Sequence, residues 1–321
     1  MEKIKIIKNR SDIGAGTRGS DLGIDAIEIA AINSGNDYFN RYEYIDLETE
    51  NEAVYQKQKA PFAKRIGKVL TVCTRLNDVV KTTLEQNQFP IVLSGDHSSA
   101  LGTISGIKTA FPDQRLAVVW IDAHADIHSP YSTPSGNIHG MPLAAALADD
   151  NMDRKVNNEV TQETNEHWEG LKNIGGISPK ILHNDLVYFG VRDTEEPEEY
   201  SMEKNGLKNY SVDEVRYRGM RVCMNETLEK LKDCDLIYIS FDVDSMDCDL
   251  ISRGTGTPVA KGFDQEEVKN IINRLIESKK VACIEIVEVN PCLDDKGNKM
   301  AETAFDVLDD FTNTIEKHCI K

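Results

Sequence analysis

Apolar runs with no polar face recur along this chain, and they constrain its fold more than any other feature. Leu116-Ala-Val-Val-Trp-Ile and Leu236-Ile-Tyr-Ile-Ser-Phe are hydrophobic at odd and even positions alike. A strand of that kind must be covered on both sides, as parallel strands are when helices flank the sheet. Strands of an antiparallel sandwich more often alternate. Further β-rich runs lie at residues 3–7, 43–47, 90–94, 186–191 and 281–287, beside those at 116–122 and 236–242. The stretches between them read as helices. Residues 62–86 carry Ile66, Val69, Leu70, Cys73, Leu76, Val79, Val80 and Leu84 at helical spacing. Residues 264–278 repeat the pattern with Val268, Ile271, Ile272, Leu275 and Ile276, behind Asp264 as N-cap. Strand–helix repetition predicts an α/β sheet with right-handed crossovers. No linker rich in Pro, Gly or Ser interrupts it, so residues 1–321 are expected to form one domain. The polar, Asn/Glu-rich stretch 149–178 reads as a surface excursion with room for a short helix.

Composition removes several classes of function. The chain has 54 acidic and 37 basic side chains, a formal charge of −17. Such a surface repels phosphate backbones, which argues against nucleic acid as a partner. With 40% hydrophobic and 28% charged residues the composition is not that of a disordered chain. No run of about 18 apolar residues is present, which argues against a membrane span. Met1-Glu-Lys-Ile-Lys-Ile lacks the apolar core of a secretory signal. The cysteines are Cys73, Cys223, Cys234, Cys248, Cys283, Cys292 and Cys319, an odd number without a CxxC pair. Neither a disulfide framework nor a zinc–thiolate site is expected, and a reducing, cytoplasmic setting is.

Three polar clusters each follow a predicted strand. They are Ser94-Gly-Asp-His97-Ser98, Asp122-Ala-His124-Ala-Asp126-Ile-His128, and Ser240-Phe-Asp242-Val-Asp244-Ser-Met-Asp247. Strand C-termini of a parallel sheet lie along one edge, where ligand sites form. Alternation along an extended segment turns Asp122, His124 and Asp126 one way, and Asp242 and Asp244 share a face. With His97 this places four carboxylates and two imidazoles around one cavity. Four carboxylates without a counter-cation would repel one another. Two divalent ions would balance them, and a site rich in oxygen with few imidazoles suits Mn²⁺ better than thiolate-seeking Zn²⁺.

These clusters resemble the three metal motifs of the arginase/agmatinase (ureohydrolase) family. The resemblance runs from Gly14-Ala-Gly-Thr-Arg-Gly19-Ser-Asp-Leu-Gly23 to Glu288-Val-Asn-Pro. It implies a three-layer α/β/α sandwich around a mainly parallel sheet of about eight strands. It also implies two Mn²⁺ ions that hydrolyse a guanidinium or amidine, and a homo-oligomer, a trimer or hexamer. By resemblance His97, Asp122, Asp126 and Asp242 hold one ion, and His124, Asp122, Asp242 and Asp244 the other, with Asp122 and Asp242 bridging. A water between two divalent ions loses a proton near neutral pH and becomes the nucleophile. Glu288 resembles the glutamate that holds the guanidinium, and His139 the histidine that shuttles a proton to the leaving amine. Asp126 counts with these two as a catalytic residue. Thr257 resembles a residue that helps to hold the scissile group.

The substrate tail is less sharply implied. His128, Ser135 and Asn137 lie in a loop resembling that by which arginases hold the α-carboxylate, and neutral donors suit that task. Gly190-Val-Arg192-Asp193-Thr-Glu195 resembles the segment that binds the α-amine, with Arg192 read as a structural ion pair. His128 stands where arginases have asparagine, Glu195 where aspartate is usual, and Cys248 where proline is usual. L-Arginine is the expected substrate. Agmatine, another guanidino acid or an N-formimino acid remains open. A non-catalytic homologue would have lost a metal ligand, Glu288 or His139, and none is lost.

Overall fold

Side chains of a strand point alternately to its two faces, so an apolar run buried on both sides must feed two cores. In the computed structural model, which describes residues 3–320, that is what happens. Met1 and Glu2, on which part of the N-terminal reading rests, and Lys321 lie outside the described residues. Among the described residues there are eight strands: β1 (Lys3–Asn9), β2 (Glu43–Asp46), β3 (Gln88–Ser94), β4 (Leu116–Ile121), β5 (Leu186–Phe189), β6 (Lys208–Tyr210), β7 (Leu236–Asp242) and β8 (Val281–Val287). The helices are α1 (Gly23–Asn33), α2 (Tyr38–Arg41), α3 (Ile66–Glu85), α4 (Ala100–Ala110), α5 (Pro142–Leu147), α6 (Gln162–Lys172), α7 (Glu196–Lys204), α8 (Val212–Arg218), α9 (Met220–Lys230), α10 (Gln265–Ile276) and α11 (Lys299–His318). Ala117, Val119 and Ile121 of β4 join one core with side chains of α1, α9, α10 and α11. Leu116, Val118 and Trp120 join the other, with α3, α4, α5 and α6. The result is an α/β/α sandwich in which every strand pairing is parallel.

Strand order is β2-β1-β3-β8-β7-β4-β5-β6. The chain lays down one end of the sheet with β1–β3, skips two positions to build the other end with β4–β6, and returns to fill the gap with β7 and β8. The C-terminal ends of β3, β8, β7 and β4 therefore stand side by side at mid-sheet, next to the change of direction where crevices open in such sheets.

The seven sequence runs all become strands, and β6 is the one that they miss. It has three residues, Lys-Asn-Tyr, at the sheet edge, and carries no β-branched or alternating signal. β5 ends at Phe189, two residues earlier than expected, where Gly190 turns the chain with φ +93. α3 begins at Ile66 instead of residue 62, behind the left-handed Arg65. Asp264 caps α10 as expected: it accepts the Glu267 N–H while Glu267 accepts the Asp264 N–H, a capping box. The polar stretch 149–178 contains α6, anchored by buried Trp168.

Candidate metal centre

His97 follows β3, Asp122 follows β4, Asp242 closes β7, and Asp244 lies in the short turn after it. Their side chains converge. His97 Nδ1 stands 3.0 Å from Asp122 Oδ2, 3.0 Å from Asp126 Oδ2 and 3.2 Å from Asp242 Oδ2. His124 Nδ1 lies 3.4 Å from Asp122 Oδ1 and 3.0 Å from Asp244 Oδ2. Asp122 thus turns one oxygen to each imidazole and belongs to two ligand groups, His97–Asp122–Asp242 and Asp122–His124–Asp244. Asp126 reaches the first through a left-handed backbone, φ +50.

These donors fit cations. His97 Nδ1 and Asp122 Oδ2 are buried and form no hydrogen bond, although three carboxylate oxygens crowd that nitrogen. The other atoms of the groups are occupied in ways that orient them. His97 Nε2 meets Ser240 Oγ at 2.6 Å, and the ring stacks on Trp120 at 4.0 Å and 3°. Asp242 Oδ1 accepts the Asp244 N–H, Asp122 Oδ1 the His124 N–H, and Asp244 Oδ1 the Ala123 N–H. Thr257 Oγ1 donates to Asp244 Oδ2 at 3.0 Å.

Crowding also moves the protonation equilibria. Burial, then the Asp244 and Asp122 carboxylates, push Asp242 well above the carboxylate range. Burial and then Asp122 raise Asp126. Burial works upward on Asp122 too, but the hydrogen bonds of His124 and His97 hold it low. Burial opposes charge on His97 and His124, yet the facing carboxylates carry both well above an ordinary imidazole. Positive charge is what this cluster accommodates best.

Glu288 follows β8 in a left-handed conformation, φ +66. It is 2% exposed and accepts the His97 N–H at 2.9 Å through Oε1. The same oxygen lies 3.1 Å from His139 Nδ1. Burial disfavours charge on both partners, but their pairing prevails: Glu288 is lowered and His139 is pushed up to about 9. The sequence placed these two residues in one site without indicating that they touch.

A cavity of about 250 Å³ opens over the cluster, lined by His97, His124, Asp126, His139, Asp242, Asp244 and Thr257 on the metal side. The tail residues His128, Ser135, Asn137 and Glu195 line it too, with Asp193 and Glu198. His128 and Glu195 meet each other, Nε2 to Oε2 at 2.8 Å. Asn137 Oδ1 accepts from Lys64 Nζ at 2.9 Å. Arg192 departs from the sequence reading: among the described residues its guanidinium makes no ion pair but donates to the carbonyls of Gly190, Asp244, Val259 and Ala260 at 2.9–3.0 Å. It ties the β5 loop to the β7 loop. Sequence reasoning gave no role to Asp96, Ser240, Trp120 or Glu198. Asp96 is fully buried and accepts the Gly14 and Ser98 N–H groups. Its place in Gly-Asp-His97 was the available signal. Burial pushes Glu198, which caps the Glu195 N–H, up to about 7.

A model of the Arginase family matches residues 2–312. Arginase of Bacillus subtilis (strain 168) is 34% identical over 312 residues, covering 96% of this chain and 97% of that protein. Its crystal structure superimposes with a TM-score of 0.81 at 32% identity, over 96% of this chain and 98% of that one. A formimidoylglutamase structure from Bacillus subtilis superimposes with a TM-score of 0.75 at 18% identity, over 100% of this chain and 89% of that one; this likeness is one of fold.

Proposed function

The chain belongs to the arginase family of hydrolases acting on guanidino groups, and from that premise we propose that it converts L-arginine and water to L-ornithine and urea at a dimanganese centre. The observation that carries this reading is the convergence of two imidazoles and four carboxylates beneath one cavity, with the Glu288–His139 pair beside them. His97, Asp122, Asp126 and Asp242 would hold one ion, and His124, Asp122, Asp242 and Asp244 the other. When bound, two divalent cations supply water activation near neutral pH.

The chain's own residues do the rest. Glu288 offers a buried carboxylate as counter-charge to the guanidinium. His139, kept protonated at neutral pH by Glu288, has Nε2 left to deliver a proton to the departing amine, because Nδ1 is engaged. Addition of water to the guanidinium carbon and cleavage of its bond to the chain nitrogen release urea; the amine leaves as an ammonium. Thr257 fixes Asp244. Ser135 and Asn137 face the tail from a loop, and His128 with Glu195 presents a cation and an anion to an α-amino acid. One catalytic domain across residues 1–321, in the cytoplasm and as a trimer or hexamer, completes the proposal.

A second reading, a ureohydrolase for agmatine, guanidinobutyrate or formiminoglutamate, has one observation behind it. His128 and Glu195 satisfy each other at 2.8 Å. Urea or formamide release from the four substrates with Mn²⁺ separates the readings. Arginine is expected to be turned over fastest, and no urea from it would sink the first. Asp126→Ala and Asp244→Ala should lose metal and at least about 100-fold in activity, beyond what outer partners of a metal contribute. Full activity in either would refute the ligand set.

A further inference from the structure

A second cavity, of about 440 Å³, lies between the segment 53–60 and the N-terminal turns of α3 and α6. Its charge runs against that of the whole chain. Lys57, Lys59, Arg65 and Lys68 line it, against Glu163. Lys68 is paired with Glu50 at 2.8 Å. Lys57 and Lys59, both exposed, have no carboxylate partner among the described residues. Arg65 directs its guanidinium to the carbonyls of Ile13 and Ala15, at 2.6 and 3.1 Å, and forms no direct ion pair among the described residues. His167 completes the lining. Its Nδ1 is buried without a partner, and its ring sits so close to α3 that a Cβ on Gly67 would come within 3.0 Å of Nε2.

We propose that this cavity binds a small multivalent oxyanion, a phosphate or the phosphoryl group of a metabolite, and that its occupancy is coupled to the loop holding Ser135 and Asn137. Two unpaired ammonium groups and a guanidinium match a dianion better than a single carboxylate. The imidazole nitrogen adds a donor through its N–H tautomer. The coupling has a short physical path. Between Lys59 and Arg65 the chain holds the loop directly: Lys64 N–H donates to Gly136 O at 2.8 Å, and Lys64 Nζ to Asn137 Oδ1 at 2.9 Å. Gly136 packs so tightly that a Cβ there would come within 1.9 Å of Pro61 O. An anion that draws Lys57 and Lys59 toward Arg65 pulls on this segment. The coupling rests on reading that loop as a substrate contact; the binding does not.

The holoenzyme, at constant free Mn²⁺, is titrated with sodium sulfate and separately with glycerol phosphate, against sodium chloride at matched ionic strength. Thermal midpoint and KM for arginine are followed together. Both anions should raise the midpoint beyond chloride and change KM about fivefold, a usual size for coupled sites. Lys57→Glu/Lys59→Glu should abolish both responses with kcat and KM in chloride unchanged. An ester acting at lower concentration than sulfate identifies a phosphorylated metabolite, and equal potency identifies the free oxyanion. A midpoint response no larger than that to chloride, or one that persists in the double variant, overturns the site. A midpoint shift with constant KM overturns the coupling. If arginine yields no urea, the functional reading has failed, and the midpoint still decides the site.

Discussion

His97 shows how much of the centre is decided one layer behind the ligands. Its Nδ1 faces three carboxylates because Ser240 holds Nε2 at 2.6 Å and Trp120 lies parallel to the ring at 4.0 Å. Partners of this type fix both tautomer and orientation of a ligating histidine. Ser240→Ala should weaken metal binding about 10- to 100-fold while the fold persists. Titration with buffered Mn²⁺ would read it, and unchanged affinity would show that the stacking alone suffices. Glu288 and His139 make the same point for the chemistry. Glu288 is buried and His139 partly so, and each is held ionised by the other.

At the scale of elements, the site depends on strands that end where they should and helices that return the chain to the sheet. α10 connects β7 to β8, and so delivers Glu288 next to Asp242. Its apolar stripe, Val268, Ile271, Ile272, Leu275 and Ile276, is fully buried, and its start is defined by the Asp264–Glu267 capping box. Asp264→Ala should lower stability by about 1 kcal/mol in denaturant unfolding with kcat unaltered. A loss of activity at full stability would mean that the cap positions the site and not only the helix.

At the scale of the whole molecule, one buried charge contributes a stability that rises with pH. Lys180 is 2% exposed, and its ammonium donates to the carbonyls of Lys172 and Ile177 at 2.6 and 3.0 Å. Burial lowers it to about 8. The folded chain releases this proton near pH 8, whereas the unfolded chain holds it to about 10.4. Between those values the unfolded state binds more protons, so this residue makes the fold more stable as pH rises, by on the order of 3 kcal/mol in total. Lys180→Met should remove that rise; denaturant titrations between pH 7 and 10.5 compare the two proteins, and parallel curves would refute the assignment. Light scattering reads the proposed trimer or hexamer, and a mass of 35.9 kDa at working concentration would exclude it.

Much of this was legible in the residues themselves. Apolar runs without a polar face, repeated between helical stretches, point to parallel strands covered twice, and DxHxD or DxD after such a run then lies at a strand end. These are local consequences of alternation and burial. Strand order was not legible: nothing near β8 says that it pairs with β3 and β7, since the pairing is between segments far apart in the chain. β6 was invisible because three residues at an edge, only Tyr210 of them buried in the core, are too few to show a pattern. The contacts that distinguish the site, Glu288 with His139, His97 with Ser240, His128 with Glu195 and Arg192 with the carbonyls of Asp244, Val259 and Ala260, join residues distant in sequence. The sequence by itself determined which groups are available and on which edge they lie. Only the tertiary structure decided which of them touch, and hence which stay charged, because distance and burial set those energies.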